Sequence, residues 1–215
     1  MSRPLSDDDR SLIERAAHDL LNPISAILGL GETIESRGNG LGDDTIRAFG
    51  ASIARQAGRL DRAVRDLELT SVLLRGDPQC AIADVPAERL IGSFASDRVR
   101  VVFADGLALR ADPDLMVGAL RRLIENAIEF SEGEVVVRVG ETWIEVVDTG
   151  IGFTPEGLAH AFEPLSPGTN ARNERGSGLG LGLYIARRLV AVQGGTLTAT
   201  TEPGKGSVFR IDLPA

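Results

Sequence analysis

The sequence predicts an α+β protein of two domains, in which an antiparallel helical hairpin forms a dimeric four-helix bundle and is followed by an α/β sandwich with a mixed sheet. Three observations predict this fold class. Apolar residues recur at helical spacing as far as about Leu74. Beyond the helix-stopping stretch Gly76-Asp77-Pro78, strand-like runs are interspersed with helical ones. Many of the 25 glycines lie between Gly150 and Gly206, so chemistry is to be sought in that region.

The first domain, residues 1–76, is predicted to be the hairpin. Apolar residues spaced mostly three or four apart predict one helix from Ser6 to Ser36. A glycine-rich turn from Arg37 to Gly42 follows, and a heptad-like pattern predicts a second helix from about Asp44 to Leu74. Two helices alone leave much of each apolar stripe exposed, so we expect a homodimer.

The second domain, residues 77–215, is predicted to be the sandwich. Alternating and β-branched runs predict strands at Val99–Phe103, Glu134–Val139, Thr142–Val147 and Ser207–Leu213. Helical periodicity predicts helices at Asp114–Phe130 and about Leu183–Gln193. Strands and helices in this order indicate a mixed sheet covered by helices.

The composition excludes several classes of protein. Hydrophobic residues make up 43% of the chain and charged residues 25%, and no window approaches the apolar run of about 18 residues that spans a bilayer. Residues 1–10 are acidic and polar, unlike a signal peptide, so we expect a cytoplasmic protein without membrane contact. A formal net charge of -8 with dispersed Lys and Arg argues against a nucleic-acid partner.

His18 is the candidate nucleophile of the first domain. It lies beside the apolar stripe of the first helix, where we expect it to face solvent. A lone surface histidine is usually inert, but its neighbours alter this interpretation. Asp19 can accept the Nδ1 proton and leave Nε2 to attack a phosphoryl group, and Asn22, one turn later, could hold a water or a phosphoryl oxygen near the ring. Pro23 in the helix interior predicts a kink beside His18.

The second domain contains candidate nucleotide-binding residues. Asp148 ends an apolar strand, where its carboxylate could accept a hydrogen bond from an exocyclic amine such as that of adenine. The alternating glycines and leucines of Gly178–Leu183 open a helix, whose free N–H groups and close backbone suit phosphates. The amide oxygen of Asn126 is a suitable neutral ligand for Mg²⁺.

With these residues the sequence resembles the bacterial sensor histidine kinases, whose ATP-binding domain is shared with gyrase, certain heat-shock chaperones and the MutL mismatch-repair proteins. The resemblance extends from about Ser6 to Pro214. The segment His18–Ile24, read as HDLLNPI, is similar to the phosphoacceptor box of that family. This implies that His18 is phosphorylated, that Asp19 is its acid/base partner, and that Asn22 is in the position linked to dephosphorylating a bound regulator.

The same resemblance implies roles in nucleotide binding. Asn126 matches the metal-binding asparagine, and Phe162 begins the box that precedes the ATP lid, which would be Leu165–Ser177. Arg172 and Arg175 would either reach the phosphates from this lid or be solvated arginines on a mobile loop. The remaining positions implied are an adenine box, Asp148, Gly150 and Gly152, and a phosphate-binding run, Gly178, Leu179, Gly180, Leu181, Gly182 and Leu183.

The function implied is that of a two-component histidine kinase. It would autophosphorylate His18 from Mg-ATP, pass the phosphoryl group to an aspartate of a response-regulator receiver domain, and also act as that regulator's phosphatase. Its signal would come from an upstream sensor module or a separate protein. One alternative is a phosphotransfer hub with a weakened nucleotide domain, and another is a serine kinase of the anti-sigma type, against which the box around His18 argues.

Glu129 departs from the family pattern and leads to a first prediction. The family often has a basic residue three positions after the metal-binding asparagine, whereas Glu129 should repel phosphates. We therefore expect Glu129→Lys to lower the dissociation constant of Mg-ATP, measured by titration calorimetry. An unchanged or higher dissociation constant would show that Glu129 does not face the nucleotide.

Overall fold

The computed structural model describes residues 7–166 and 179–214, with the side chains of residues 7–13, 15 and 39 excepted. The chain divides into two compact units, one containing the chain up to Glu68 and the other beginning at Leu69. Each unit is described by itself below. The domain boundary at residue 76 stays a prediction.

The first unit is the predicted helical hairpin. Helix α1 is Asp7–Arg37, a 3-10 turn follows at Gly38–Gly40, and helix α2 is Asp43–Arg75. Both helices begin and end within about two residues of their predicted bounds. Asp43 and Asp44 lie in the first turn of α2, where negative charge interacts favourably with the helix dipole. Pro23 lies inside α1 as predicted, and the kink stays a prediction.

The apolar side chains of this hairpin remain largely accessible. Among the described side chains of α1, only that of Pro23 is buried. The buried residues of α2 are Thr70 and Leu73, which both lie beyond Glu68. A single copy of the hairpin therefore buries its own apolar stripes only in part, and the dimer stays a prediction.

As far as it is described, the second unit contains a five-stranded mixed sheet, a two-stranded ribbon, four α-helices and a 3-10 helix at Gly92–Phe94. The strands are β1 (Ala83–Pro86), β2 (Val99–Val102), β3 (Ala108–Ala111), β4 (Val135–Val139), β5 (Trp143–Asp148), β6 (Thr196–Glu202) and β7 (Gly206–Asp212). The helices are α3 (Ala87–Ile91), α4 (Pro113–Phe130), α5 (Pro155–His160) and α6 (Gly182–Val192). The ribbon is β1–β3 and the sheet order is β2-β4-β5-β7-β6, with only β2–β4 parallel. This confirms the predicted hairpin followed by an α/β sandwich with a mixed sheet.

The core of this unit lies between the sheet and the packed helices α4 and α6. The sheet contributes alternate residues of its central strands, such as Ile144 on β5 and Phe209 on β7, and both are fully buried. Leu120 of α4 and Ile185 of α6 are fully buried as well. Burying each such side chain stabilises the fold by about 1.5–3 kcal/mol.

Asp112 anchors the start of α4. It is the N-cap residue, and its Oδ1 atom accepts hydrogen bonds from the N–H groups of Asp114 and Leu115, each at 3.0 Å. Its Oδ2 atom accepts a third from Ala81 at 2.7 Å. The backbone N–H of Asp112 donates to the buried side chain of Gln193 at 2.9 Å, which connects α4 with the end of α6.

Of the helices in the described ranges 7–166 and 179–214, none is long and apolar enough to cross a membrane.

The cap predicts a dependence of stability on pH. Burial raises the pKa of the Asp112 carboxyl, but three backbone N–H groups outweigh burial and hold the pKa below its ordinary value. Asp112 therefore stabilises the fold above its unfolded-state pKa, and this contribution is lost as the pH falls through the lower folded-state pKa. We expect Asp112→Ala to lower the free energy of unfolding by about 1–2 kcal/mol at pH 7 and by less in acid, measured by urea denaturation.

Asp112→Asn is the matched control, because it keeps an oxygen acceptor at the cap without the ionisable group. Its amide oxygen can still accept from Asp114 and Leu115, but its NH2 group cannot accept from Ala81, so it should retain part of the stability at neutral pH and lose the acid dependence. Equal costs for Asp112→Ala at neutral and acidic pH would contradict the ionic part of this account.

Candidate functional site

The His18 side chain is accessible, as predicted, with 74% of its surface exposed. Two polar side chains lie beside its Nδ1 atom: the amide nitrogen of Asn22 at 3.2 Å and a carboxylate oxygen of Asp19 at 3.6 Å. Within the described part of the chain, no hydrogen bond is made to Nε2. The ring is thus held at one nitrogen and presents the other to solvent.

The two neighbours of Nδ1 favour different tautomers. The amide nitrogen of Asn22 can only donate, so its contact requires a lone pair at Nδ1 and a proton at Nε2. The ionised carboxylate of Asp19 can only accept, so it favours a proton at Nδ1 and a lone pair at Nε2. Only the second tautomer is nucleophilic at the exposed nitrogen. Asp19 and Asn22 therefore favour opposite protonation states of Nδ1, and only the tautomer that Asp19 favours leaves a lone pair on Nε2.

In the second unit, Asp148 lies at the end of β5 with only 6% of its surface exposed. Its Oδ1 atom accepts a hydrogen bond from the N–H of Gly150 at 2.7 Å. Burial raises the pKa of the Asp148 carboxyl, and the backbone N–H groups of Gly150 and Ser207 partly counteract this effect. The result is a strong hydrogen-bond acceptor in an apolar surrounding, suited to a donor group of a ligand.

Gly150 and Gly152 are required by close approaches of the backbone. A Cβ atom at Gly150 would overlap the carbonyl oxygen of Phe130, at the end of α4. Gly152 has a φ of 62°, and a Cβ atom there would overlap the carbonyl oxygen of Glu202. The loop after Asp148 therefore lies directly against the end of α4 and against β6.

Asn126 is brought toward the same loop by α4. It is half-buried and lies one helical turn before Phe130, on the same face of the helix. The carbonyl of Phe130 accepts a hydrogen bond from Ile151 at 3.3 Å, so this end of α4 is docked on the loop that follows Asp148. The described residues contain no group of three acidic, His or Cys side chains that could hold a metal. A Mg²⁺ ion bound through Asn126 would take its other ligands from phosphates and water, which fits its usual chemistry.

No side chain of the described residues caps the N-terminus of α6. Asp112 caps α4, and Thr154 caps α5 by accepting a hydrogen bond from Gly157 at 3.1 Å. At α6, by contrast, the N-cap position is Leu181 and no hydrogen bond from a side chain caps the helix. A Cβ atom at Gly182, the first residue of α6, would meet nothing within 4 Å. Within ranges 7–166 and 179–214, the first N–H groups of α6 therefore have no side-chain acceptor, and helix N-termini of this kind can bind an anion such as a phosphate.

The phosphate-binding run predicted from the sequence is only partly described. The side chains of Leu179, Leu181 and Leu183 are buried, so these leucines could contact a nucleotide only through their backbone. Gly180 has a φ of 65° and passes close to the carbonyl of Ser166. Gly178, Arg172 and Arg175 lie outside the described residues.

Phe162 packs against α6. The guanidinium of Arg187 lies over its ring, 5.6 Å from the centroid, in cation–π geometry. The carboxylate of the next residue, Glu163, lies 3.0 Å from Nδ1 of His160, at hydrogen-bonding distance. These contacts hold the segment at the start of the predicted lid, and the role of Phe162 toward a nucleotide stays a prediction.

Thr201 was not identified from the sequence. Its hydroxyl accepts a hydrogen bond from the N–H of Phe153 and donates one to the carbonyl of Gly206, both at 2.9 Å. It also lies 3.1 Å from the hydroxyl of Ser207, which neighbours Asp148 across the sheet. A threonine in a threonine-rich strand carries no functional signal, and only the strand register brings it to this site.

Comparison with known proteins identifies both units. Residues 9–72 match the His Kinase A (phospho-acceptor) domain, and residues 111–215 match the histidine kinase-, DNA gyrase B- and HSP90-like ATPases. The sensor-like histidine kinase SenX3 of Mycobacterium tuberculosis (strain H37Rv) is 29% identical over 96% of this chain and 54% of its own length. The sensor histidine kinase ZraS of Klebsiella oxytoca is 31% identical over 92% of this chain and 44% of its own length. This chain thus spans about half the length of these relatives.

Two solved structures share the fold. The histidine kinase AdeS of Acinetobacter baumannii has a TM-score of 0.64 at 20% identity, covering 91% of this chain and 96% of that one. Full-length ShkA in complex with AMPPNP has a TM-score of 0.62 at 23% identity, covering 94% of this chain and 45% of that one. At these identities the similarity establishes the fold.

The burial of Asp148 predicts opposite effects of one substitution on stability and on binding. Because the folded-state pKa of Asp148 is raised, the ionised carboxylate costs stability, and that cost appears as the pH rises through the folded-state pKa. Asp148→Asn removes this cost, so we expect a higher melting temperature than wild type at pH 7 and a smaller difference in acid. The same change should weaken ATP binding about tenfold or more, measured by calorimetry. A lower melting temperature with unchanged ATP affinity would contradict both expectations.

Proposed function

The chain has the two-domain catalytic core of the sensor histidine kinases, and on that premise we propose that it transfers the γ-phosphoryl group of Mg-ATP to His18. The observation that carries the proposal is the exposed Nε2 of His18, with Asp19 placed at the opposite nitrogen to hold a proton there. A phosphoryl acceptor needs this combination of an accessible lone pair and an oriented ring.

In the proposed transfer, Nε2 of His18 forms a bond to the γ-phosphorus as the bond from phosphorus to the ADP oxygen breaks. Asp19 holds the Nδ1 proton and stabilises the positive charge that develops on the ring. Before the attack, Nδ1 exchanges its contact with Asn22 for a hydrogen bond to Asp19. The ring proton is then on Nδ1, and the lone pair is on Nε2. His18 and the nucleotide residues belong to different units of the chain, so transfer occurs either within a subunit or across a dimer.

The second unit would bind the nucleotide. Asp148 accepts a hydrogen bond from the adenine amino group, beside the loop of Gly150 and Gly152. The uncapped N-terminus of α6, beginning at Gly182, receives the phosphates. Mg²⁺, held by the amide oxygen of Asn126 and by phosphate oxygens, would supply charge neutralisation during transfer.

The proposed partners follow from this chemistry. Phosphorylated His18 passes its group to an aspartate of a response-regulator receiver domain, and Asn22 positions a water that reverses the regulator's phosphorylation. A sensor module or sensor protein controls both activities. Homodimerisation is supported by large apolar side chains that remain exposed on the hairpin, namely Leu21 and Leu28 on α1 and Ile46 and Val64 on α2.

A phosphotransfer hub without kinase activity is the second candidate. Glu129 favours it, because its carboxylate is exposed on α4 one helical turn from Asn126. A hub, however, would have no use for a buried carboxylate at Asp148. This feature is unfavourable for folding alone and is useful to a nucleotide site, so we favour the kinase.

Phosphate labelling tests the proposal. The chain has 2 histidines, His18 and His160, and both are exposed, so each can be replaced without disturbing a core. We expect incubation with γ-labelled ATP and Mg²⁺ to give an acid-labile, alkali-stable label on wild type and on His160→Ala. The label should be absent from His18→Ala.

Two further outcomes define the test. Label that persists in His18→Ala would exclude His18 as the acceptor, and wild type that stays unlabelled while accepting phosphate from another kinase would favour the hub.

In the same assay Asn22→Ala should retain autophosphorylation and lose phosphatase activity toward a phosphorylated receiver domain. Loss of both activities together would contradict the water-positioning role of Asn22.

A further inference from the structure

Three neighbouring strands place polar side chains side by side at one end of the apolar core. Asp148 on β5 pairs with Ser207 on β7, and Ser207 pairs with Thr201 on β6. Directly opposite residues in antiparallel strands project from the same face of the sheet, so these side chains form one row. In the adjacent row on that face, Val146 and Phe209 are fully buried. The polar row therefore closes the core beside the loop that contains Gly152.

The hydrogen bonds of this row determine the position of each proton. The Thr201 hydroxyl has one proton, and the carbonyl of Gly206 can only accept, so the proton of Thr201 lies between them. The N–H of Phe153 donates to one lone pair of the Thr201 oxygen. One lone pair remains for the Ser207 hydroxyl at 3.1 Å, and that hydroxyl must supply the proton.

This arrangement leaves the Ser207 oxygen able only to accept from any further group. Because its only proton is directed at Thr201, the remaining capacity of its oxygen is lone pairs. Asp148, its neighbour across the strands, is a carboxylate and accepts hydrogen bonds from the N–H groups of Gly150 and Ser207. Two acceptors are thus carried by directly opposite residues of β5 and β7, and a ligand group or water that contacts both has to donate.

We propose that Thr201 is a positioning residue that sets the nucleobase specificity of this site. By accepting the hydrogen bond of the Ser207 hydroxyl, it leaves only acceptors beside the 6-position of the base, where an amino group is then favoured over a carbonyl. This inference rests on the proposed function, because it assumes that Asp148 receives a purine base. A carbonyl oxygen facing Asp148 and Ser207 would place acceptor against acceptor. None of these buried oxygens would then receive a hydrogen bond from the others.

Thr201 also has a structural effect that the test has to separate from specificity. Its hydroxyl joins the loop at Phe153 to the turn at Gly206, so its loss loosens both segments. Loosening weakens the binding of every nucleotide alike. A change in the direction of the Ser207 hydrogen bond alters the ratio of the dissociation constants of two nucleotides that differ only at the base. This ratio is the quantity to measure.

The experiment compares ATP with inosine triphosphate, which carries a carbonyl in place of the amino group. Dissociation constants of both, with Mg²⁺, are measured for the full chain as wild type, Thr201→Val and Thr201→Ser. We expect the preference for ATP to fall about threefold to tenfold in Thr201→Val, because the Ser207 proton becomes free to donate to the carbonyl. Thr201→Ser keeps the hydroxyl and should keep the preference. Thr200→Val is the matched control, because Thr200 is exposed on the same strand and should leave the preference unchanged.

The outcomes separate this inference from the proposed function. A folded Thr201→Val chain with the wild-type preference overturns the inference alone, provided that wild type binds ATP. If thermal unfolding shows that Thr201→Val does not fold, Ser207→Ala replaces it. Ser207→Ala removes the opposing acceptor and should lower the preference similarly, and an unchanged preference there also overturns the inference. Wild type that takes up no nucleotide with Mg²⁺ overturns the proposed function and this inference together.

Discussion

The second unit is organised around a carboxylate that is buried at the end of a strand. Removing Asp148 from water is costly, and the cost is reduced by backbone N–H groups that donate to it. For Gly150 to donate, the chain must turn sharply after β5 and approach the end of α4, where a side chain at that position would overlap the Phe130 carbonyl. The glycines, the docking of α4 and the placement of Asn126 are thus consequences of one electrostatic requirement.

In the first unit the candidate reactive side chain is exposed rather than buried. Its candidate phosphoryl acceptor, His18, is exposed, and the proposed exchange of a phosphoryl group with two different partners requires access for both. The control over reactivity is local and involves two side chains, Asp19 and Asn22, at one ring nitrogen. Little else is needed there, since a long helix holds its side chains in register by itself. Binding specificity is left to the rigid sheet of the second unit.

Sequence periodicity predicted the long elements closely. Helices α1, α2 and α4, and strands β4, β5 and β7, were expected within about two residues of their bounds, because each repeats its pattern often enough to be recognised. Strands β1 and β3 have only four residues each, and they pair with each other across a long stretch of chain. Strand β6 is rich in threonine and has one large apolar residue, Leu197, so its alternation is weak. These three strands form because their partners are in place, and a single sequence does not display partners.

The sequence by itself determined the residues whose chemistry is local: His18 with Asp19 and Asn22 on one helix, and the aspartate and glycines of the loop after β5. Spacing along a helix or within a tight loop is enough to bring such groups together. Only the tertiary structure decided which hydroxyls complete the pocket. Thr201 and Ser207 are joined to Asp148 by the register of three strands, and register depends on how the whole sheet packs on its helices. The direction of the hydrogen bonds among Asp148, Ser207 and Thr201 therefore depends on the assembled sheet.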